Sequence, residues 1–511
     1  MPVMGKIRCQ RAEVGENERM KHSRFFVTLL PVWLAFESSS QAALKLPALF
    51  DNNMVLQQQI SVPVWGWADP GSLVTVSFAG QQKSTTADNT GAWVVKLDPL
   101  AASNQPQTLA IKSGETMSLT NILVGEVWLA SGQSNMEKPI GQQPGQKPCF
   151  NYEQELAQAN YPEIRIFKVG NVLSEQPLND LKKFVSWQEC SSNALNSCRF
   201  SAAAYFFGRD IHTNINVPVG LIESSWGGTK IEPWTPPVGF ESIPSLASLA
   251  TVPMESGKKR LTSPRSIFNA MISPLATFAI RGVIWYQGES NLMGGTNDYG
   301  YRDYDDRMMA MVNGWRTIWK EGDFPFYFVQ IAPFKYFSAK IQRVPSRESL
   351  PEFWTIQSRA AHRISHSGMV VTTDLVNNLN DIHPRDKQDV GYRLALLALN
   401  KTYGRNDACA SPAFESCIFS NGVVRIQFQN AYEVLKSRDG QPLNWFELAG
   451  PDGHFMAAQG HTDGDAVVLT PAQGMIPASV RFAWDETAEP NLCNSAGLPA
   501  EPFKASVSSI P

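Results

Sequence analysis

Residues 124–136 read VGEVWLASGQSNM, and the whole chain can be laid out from this stretch. Val124, Val127, Leu129 and Ala130, with Trp128 among them, make an apolar run as long as a buried strand. Ser131-Gly132 then stops it with a turn signal. Ser134 therefore falls just past the carboxyl end of a strand, where open α/β sheets keep their ligand sites. A serine there can offer its hydroxyl to a cleft while its own N–H stays available to an oxyanion. Residues 132–136 are Gly-Gln-Ser-Asn-Met and not the G-x-S-x-G elbow, and a Gly-x-Ser-Asn segment by itself is usually just a turn.

Outward from that stretch, the texture over residues 121–405 is strands alternating with helices. Strands are expected at 126–130, 164–169, 219–223, 282–286, 326–331 and 369–373. Met308, Met311, Val312, Trp315, Ile318 and Trp319 share one face of a helix, and packing onto a sheet explains that Met/Trp stripe without a ligand. Further helices are expected over 201–212 and 385–401. Strands separated by helices predict an α/β class with a mostly parallel sheet, helices covering both faces. On either side the pattern is purely β. Residues 44–120 alternate around Asp69-Pro70-Gly71 and Asn89-Thr90-Gly91, as an immunoglobulin-like or jelly-roll module would. Residues 406–511 return to alternation, clearest from Gly422 to Phe428.

At 511 residues the length itself favours more than one domain. A formal net charge of −3 offers no polycation for nucleic acid. The amino end carries a leader pattern: Lys21, His22 and Arg24 flank an apolar run at 25–36, and Ser40-Gln41-Ala42 fits a cleavage site. That run is too short for a permanent membrane span, so no stable membrane insertion is expected. Residues 1–19 are polar and precede a second candidate start at Met20; we read them as an extension of the gene model, residues 20–42 as a signal peptide, and the mature protein as exported, to a periplasm or outside the cell (lysosomal or secreted in a eukaryote). Removal of Cys9 leaves six cysteines, and Cys190/Cys198 and Cys409/Cys417 could each close a small loop in an oxidising compartment. No C-x-x-C pair or histidine cluster points to a metal, and no cofactor is expected.

Three more segments follow strand ends: Glu223-Ser-Ser-Trp226-Gly227-Gly228-Thr229, Gln287-Gly288-Glu289-Ser290-Asn291, and Asn380-Asp381-Ile382-His383-Pro384. A serine hydroxyl is a poor nucleophile until a histidine base, oriented by a carboxylate, takes its proton. The tetrahedral intermediate then needs donors aimed at its oxyanion, which the N–H groups of Ser134 and Gly227 and the Asn291 amide could supply. Each residue has a plainer use: Gly227-Gly228 as a tight turn, Asn291 as a helix cap, His383 as a cap before Pro384.

In order, Ser134, Gly227, Asn291 and His383 match the four blocks of the SGNH (GDSL-type) hydrolases. VGEVWLASGQSNME, ESSWGGTKIEPW, IWYQGESN and DIHPRDKQDVG resemble, more closely, the sialate O-acetylesterase branch of the carbohydrate esterases, and LFDNNMVLQQ and NLCNSAGLPAEPF resemble that family's β modules. The resemblance implies a flavodoxin-like three-layer α/β/α catalytic domain, no metal, and hydrolysis of acetyl esters on sugars. Such an enzyme would act on O-acetylated sialic acids first, with acetylxylan or another polysaccharide, or sugar binding over an inactive site, as alternatives. Gln133, Gln287, Glu289 and Arg265 are candidate substrate contacts. One position departs from the family pattern Asp-x-x-His: residue 380 is Asn, and Asp381 stands two before His383. Residues i and i+2 of an extended segment share a face about 7 Å apart. Asp381 is thus the expected orienter, with Asp374 in reserve and a Ser–His dyad as a third arrangement.

Overall fold

The structure, a computed structural model, describes residues 44–294, 301–337 and 344–509. The expected extension and leader lie outside the described residues. Six strands come first: β1 (Val55–Gln57), β2 (Val62–Trp67), β3 (Leu73–Phe78), β4 (Gln81–Thr86), β5 (Ala92–Leu97) and β6 (Ser103–Ser113). They form the amino-terminal module, with β2 paired to β5 and β3 between β4 and β6.

β7 (Glu115–Gly132) then runs for 18 residues. Its first part pairs antiparallel with β6, and its middle accepts β1 in parallel. Its last part is the centre of a parallel sheet. One strand is therefore shared by the amino-terminal strands and the parallel sheet, and residue 120 lies inside it.

The sheet continues with β8 (Asn160–Val169), β9 (Phe184–Ser191), β10 (Val219–Ser225), β11 (Gly282–Tyr286), β12 (Phe326–Val329) and β13 (Ser367–Val370). Across it the order is β13-β12-β11-β7-β10-β8-β9, parallel throughout except for β8 with β9. With β7 counted first, β10-β7-β11-β12-β13 follow the 2-1-3-4-5 order of flavodoxin-like sheets. The strands β8 and β9 extend that core on the β10 side. The strand order reverses at β7, so its carboxyl end faces the crevice where such sheets bind ligands.

Both faces of β7 are covered, which is why it reads as a continuous apolar run. Val127 and Leu129 enter one core, Trp128 and Ala130 the other. The helices that cover these faces are α1 (Ser134–Glu137), a single turn, then α2 (Ala202–Ile215), α3 (Tyr304–Trp319), α4 (Ser349–Arg363) and α5 (Gln388–Lys401). Residues of α3 and α4 join the first core, those of α2 and α5 the second. Met308, Met311, Val312 and Trp315 of α3 are fully buried. Trp315 meets Trp285 of β11 edge-on at 6.0 Å, and Trp285 meets Trp234 the same way at 5.8 Å. Such aromatic pairs add about 0.5–1.5 kcal/mol each to the burial of their rings. The Met/Trp stripe is core.

Between Ala413 and Ser509 a five-stranded and a four-stranded sheet close over Ile426, Leu448, Val467, Val480 and Phe482. Arg481 reaches Glu348 at 2.9 Å, Arg347 reaches Asp485 at 2.7 Å, and Arg438 reaches Asp374 at 3.2 Å, which joins these sheets to the α/β part of the chain. Cys149, Cys190, Cys198, Cys409, Cys417 and Cys493 are free thiols, so neither small loop is closed by a disulfide. Among the described residues no helix is long and apolar enough to cross a membrane, and no group of acidic, histidine or cysteine side chains could hold a metal ion.

Candidate active site

The site begins where β7 ends. Gly132 has φ +138°, and a Cβ there would stand 2.2 Å from the Tyr286 carbonyl oxygen. Only glycine lets β7 finish flush against β11 in that conformation. The Gln133 N–H then donates to the Tyr286 carbonyl at 2.9 Å, and the chain turns directly into α1. Ser134 is the first residue of α1, so no carbonyl within the helix takes its N–H.

Across the crevice, the Ser134 Oγ lies 2.9 Å from His383 Nε2, the distance at which a hydroxyl donates to an unprotonated imidazole nitrogen. The His383 side chain is 19% exposed. Its pKa is lowered to about 4, chiefly by burial, then by Lys387 and Lys138, against the opposing pull of Asp381. The ring is therefore neutral, and able to accept a proton, through the neutral range.

Asp381 is beside it but not bonded to the ring. Its Oδ1 accepts the His383 backbone N–H at 3.0 Å, whereas Nδ1 is 4.0 Å from the same oxygen, beyond hydrogen-bond reach. Asp374 is committed elsewhere: its carboxylate takes Arg393 at 2.8 and 2.7 Å and Arg438 at 3.2 Å.

The Gly227 backbone lies directly against the serine, since a Cβ on Gly227 would stand 3.2 Å from Ser134 Cβ. Its N–H donates to Glu137 Oε2 at 2.8 Å. An oxyanion arriving there has to displace a carboxylate. Asn291, in the single turn Glu289–Leu292, is buried and tied to the loop after β10. Its Oδ1 accepts from Ile231 N at 3.0 Å and Gln287 Nε2 at 2.8 Å, and its Nδ2 donates to Glu232 at 3.1 Å.

The four candidate substrate contacts are placed as follows. Gln133 Oε1 accepts from Gln287 Nε2 at 3.1 Å and from Ser290 N at 3.2 Å. Gln287 also donates to the Thr229 carbonyl at 3.0 Å and accepts from the Tyr304 hydroxyl at 2.8 Å. Glu289 is fully buried, its pKa raised by that burial, and it accepts from Asn135 Nδ2 at 2.5 Å. Arg265 donates to the Ala250 carbonyl and, at 2.7 Å, to that of Val252. Gln133, Gln287 and Glu289 thus brace the loops after β7 and β11 against each other, while Arg265 holds the turn near residue 250.

Reading the sequence did not single out Asn135, Glu137, Lys138 or Lys387. Asn135, Glu137 and Lys387 lie inside motifs already quoted, and Lys138 directly follows one; all are one to four residues from Ser134 or His383. Lys387 is fully buried and donates to Asn135 Oδ1 at 3.0 Å and the Pro384 carbonyl at 2.8 Å.

Known proteins resemble this chain. The family described as "carbohydrate esterase, sialic acid-specific acetylesterase" matches residues 124–399, from the start of the strand that carries Ser134 to the helix after His383. The sialate O-acetylesterase of Mus musculus is 29% identical over 92% of this chain and 96% of its own length. That of Pongo abelii is 30% identical over 93% and 95% respectively. The crystal structure of a carbohydrate acetylesterase from Xanthomonas citri superposes with a TM-score of 0.81 at 32% identity, covering 91% of this chain and 99% of that one. With the flavodoxin-like sheet, the serine at its switch point and the histidine opposite, these matches make the chain a member of the sialic acid-specific acetylesterase family of carbohydrate esterases.

Proposed function

We propose that this esterase is exported and works through an acyl-enzyme on Ser134, removing acetyl groups from carbohydrate hydroxyls, with O-acetylated sialic acids as its first substrate class. The observation that carries the reading is the 2.9 Å approach of Ser134 Oγ to a neutral His383 Nε2 at the switch point of the sheet. Its relatives named as sialate O-acetylesterases, similar over nine-tenths of the chain, support the substrate class. Export rests on the leader pattern before Ala42.

In this mechanism His383 Nε2 takes the Ser134 proton as Oγ attacks the acetyl carbonyl. The oxyanion is met by the N–H groups of Ser134 and Gly227, the latter after Glu137 lets go, and by the Asn291 amide if it exchanges its Glu232 bond. The imidazolium then protonates the sugar oxygen as the ester bond breaks, leaving acetyl on Ser134. Water attacks that ester, His383 again accepting its proton, and acetate departs with serine restored. Asp381 holds the His383 backbone and stabilises the imidazolium by its charge.

Acetate release measured across acetylated sialic acids and acetylated xylan tests the substrate, and a serine-directed organophosphonate tests the nucleophile. Labelling confined to Ser134, with acetate released from sialic acids, is expected. Preference for xylan would reassign the substrate. A folded protein that is neither labelled nor active, yet still binds sugar, would replace the enzyme with a binding protein.

A further inference from the structure

In most serine hydrolases the base is oriented through the second ring nitrogen by a bonded carboxylate. Here that bond is missing, because Asp381 stands 4.0 Å from Nδ1. The peptide that carries His383 is held instead on both of its flanks. The Ile382 carbonyl accepts from Asn135 Nδ2 at 3.0 Å, and the Pro384 carbonyl accepts from Lys387 Nζ at 2.8 Å. Lys387 Nζ also donates to Asn135 Oδ1 at 3.0 Å, and Glu289 Oε1 accepts from Asn135 Nδ2 at 2.5 Å. Asn135, Glu289 and Lys387 are all buried, and Asn135 is the neighbour of Ser134. One clamp thus spans the strand ends that carry the serine, the Glu289 turn and the histidine. The mechanism above uses none of these three side chains, and burying a lysine and a glutamate is costly unless each is bonded.

We infer that Lys387, with Asn135, is a positioning residue for the base: the two grip the carbonyls on either side of His383 and tie a buried positive charge to the peptide that carries it. The inference rests on the esterase reading only in calling His383 the base. Charges around the ring come from every side. Asp381 lies on its own segment, Lys387 precedes α5, and Lys138 follows α1, while Glu137 sits across the serine on Gly227. Cys149, Glu289, Asp386 and the Tyr286 ring face Lys387, and Cys149, Asp381 and Arg385 face Lys138. Both cations work against protonation of His383 and only Asp381 favours it. Lys387 itself is pushed down to about 8 by burial, so it stays mostly charged at neutral pH and below. The clamp therefore fixes where the imidazole points and also keeps it an acceptor in acid.

The test follows the His383 ring by NMR in the full chain labelled with 13C-histidine, alongside kcat/KM against pH for p-nitrophenyl acetate. Wild-type His383 should titrate well below the ordinary value of about 6.5. In Lys387→Met the ring titration and the acid limb of kcat/KM should both move up by about one pH unit, with kcat reduced and KM little changed. A residue that mattered only to folding would lower the active fraction and leave both midpoints in place, which would overturn the inference. Should Lys387→Met fail to fold, Lys387→Arg keeps the charge while spoiling the grip. It should lose kcat with the acid limb unmoved, and an acid limb that shifts there overturns the inference too. A wild-type ring titrating near the ordinary value overturns it outright. The two readings fail separately: a depressed His383 titration in a protein that turns over no ester sinks the esterase alone, while an active esterase with an ordinary titration sinks the clamp alone.

Discussion

Replacing Asp381 by Asn removes a charge while leaving an acceptor for the His383 N–H in place. Two unit charges 4.0 Å apart, the separation of Asp381 Oδ1 and His383 Nδ1, interact by about 4 kcal/mol at an effective dielectric of about 20 and about 1 kcal/mol in bulk water. The side chains are 23% and 19% exposed, which puts this pair between those limits. Asp381 has the smallest of the four influences on the ring, so the loss from the imidazolium-bearing transition state should be near the lower limit, about 1 kcal/mol, or roughly fivefold in kcat. That is well short of the ~10⁴ seen where the carboxylate is bonded to the ring, because there the amide also imposes the wrong tautomer. The sign on the pH axis is equally defined. Asp381 is the one group favouring protonated His383, so its neutralisation should move the acid limb of kcat/KM to lower pH, opposite to the Lys387→Met shift. The assay is acetate release from about pH 2.5 to 8, with near-UV circular dichroism to confirm the fold. A loss near ~10⁴ would mean that the ring is bonded to Asp381 during turnover. An activity close to wild type, or an acid limb that rises, would refute the electrostatic argument.

Ser134→Ala and His383→Ala should abolish esterase activity to a similar degree, and the double variant should be little worse, since the two act as a unit; additive losses in single-turnover rates would argue against it. Glu137→Gln should raise kcat/KM at neutral pH several-fold, because the Gly227 N–H would be held by a neutral acceptor weaker by about 1 kcal/mol than the carboxylate that now occupies it at 2.8 Å. A large loss in a folded Glu137→Gln protein would give that carboxylate a part in the chemistry. Asp374→Asn breaks a nearly buried pair with Arg393, so urea denaturation should show a loss of about 3 kcal/mol or more with kcat per folded molecule little changed. A stable Asp374→Asn protein with crippled kcat would hand it the orienting role.

Much of this protein was determined by its sequence alone. Parallel core strands are apolar runs bounded by glycine turns, and so the strands at 126–130 and 219–223 fall inside β7 and β10, while β11 is matched at both ends. The α3 stripe was legible because one buried face imposes a 3.6-residue period on the chain. Ser134 and His383 stood out as a pair because acyl-transfer chemistry calls for their types, and the fold brings them to 2.9 Å of each other, Ser134 directly after β7 and His383 on the longer loop between β13 and α5. Helix α4 was not anticipated, since Pro351 and the charged residues of SLPEFWTIQSRAAHR mask an apolar face that only α3 and the sheet complete.

Tertiary structure alone decided which group each side chain answers to. Asp381 and Asp374 are equivalent carboxylates in the sequence, and the C-terminal module's Arg438, together with Arg393, claims one of them. Glu137 reads as a polar residue of α1 until β10 brings Gly227 against Ser134. Asn135 and Lys387 are separated by 252 positions, and their bond forms only once β7 is laid in the middle of the sheet and α5 closes over its end. Local propensity and periodicity act over a few residues and write themselves into the chain. A hydrogen bond between remote side chains is set by where the packed sheet and helices leave them.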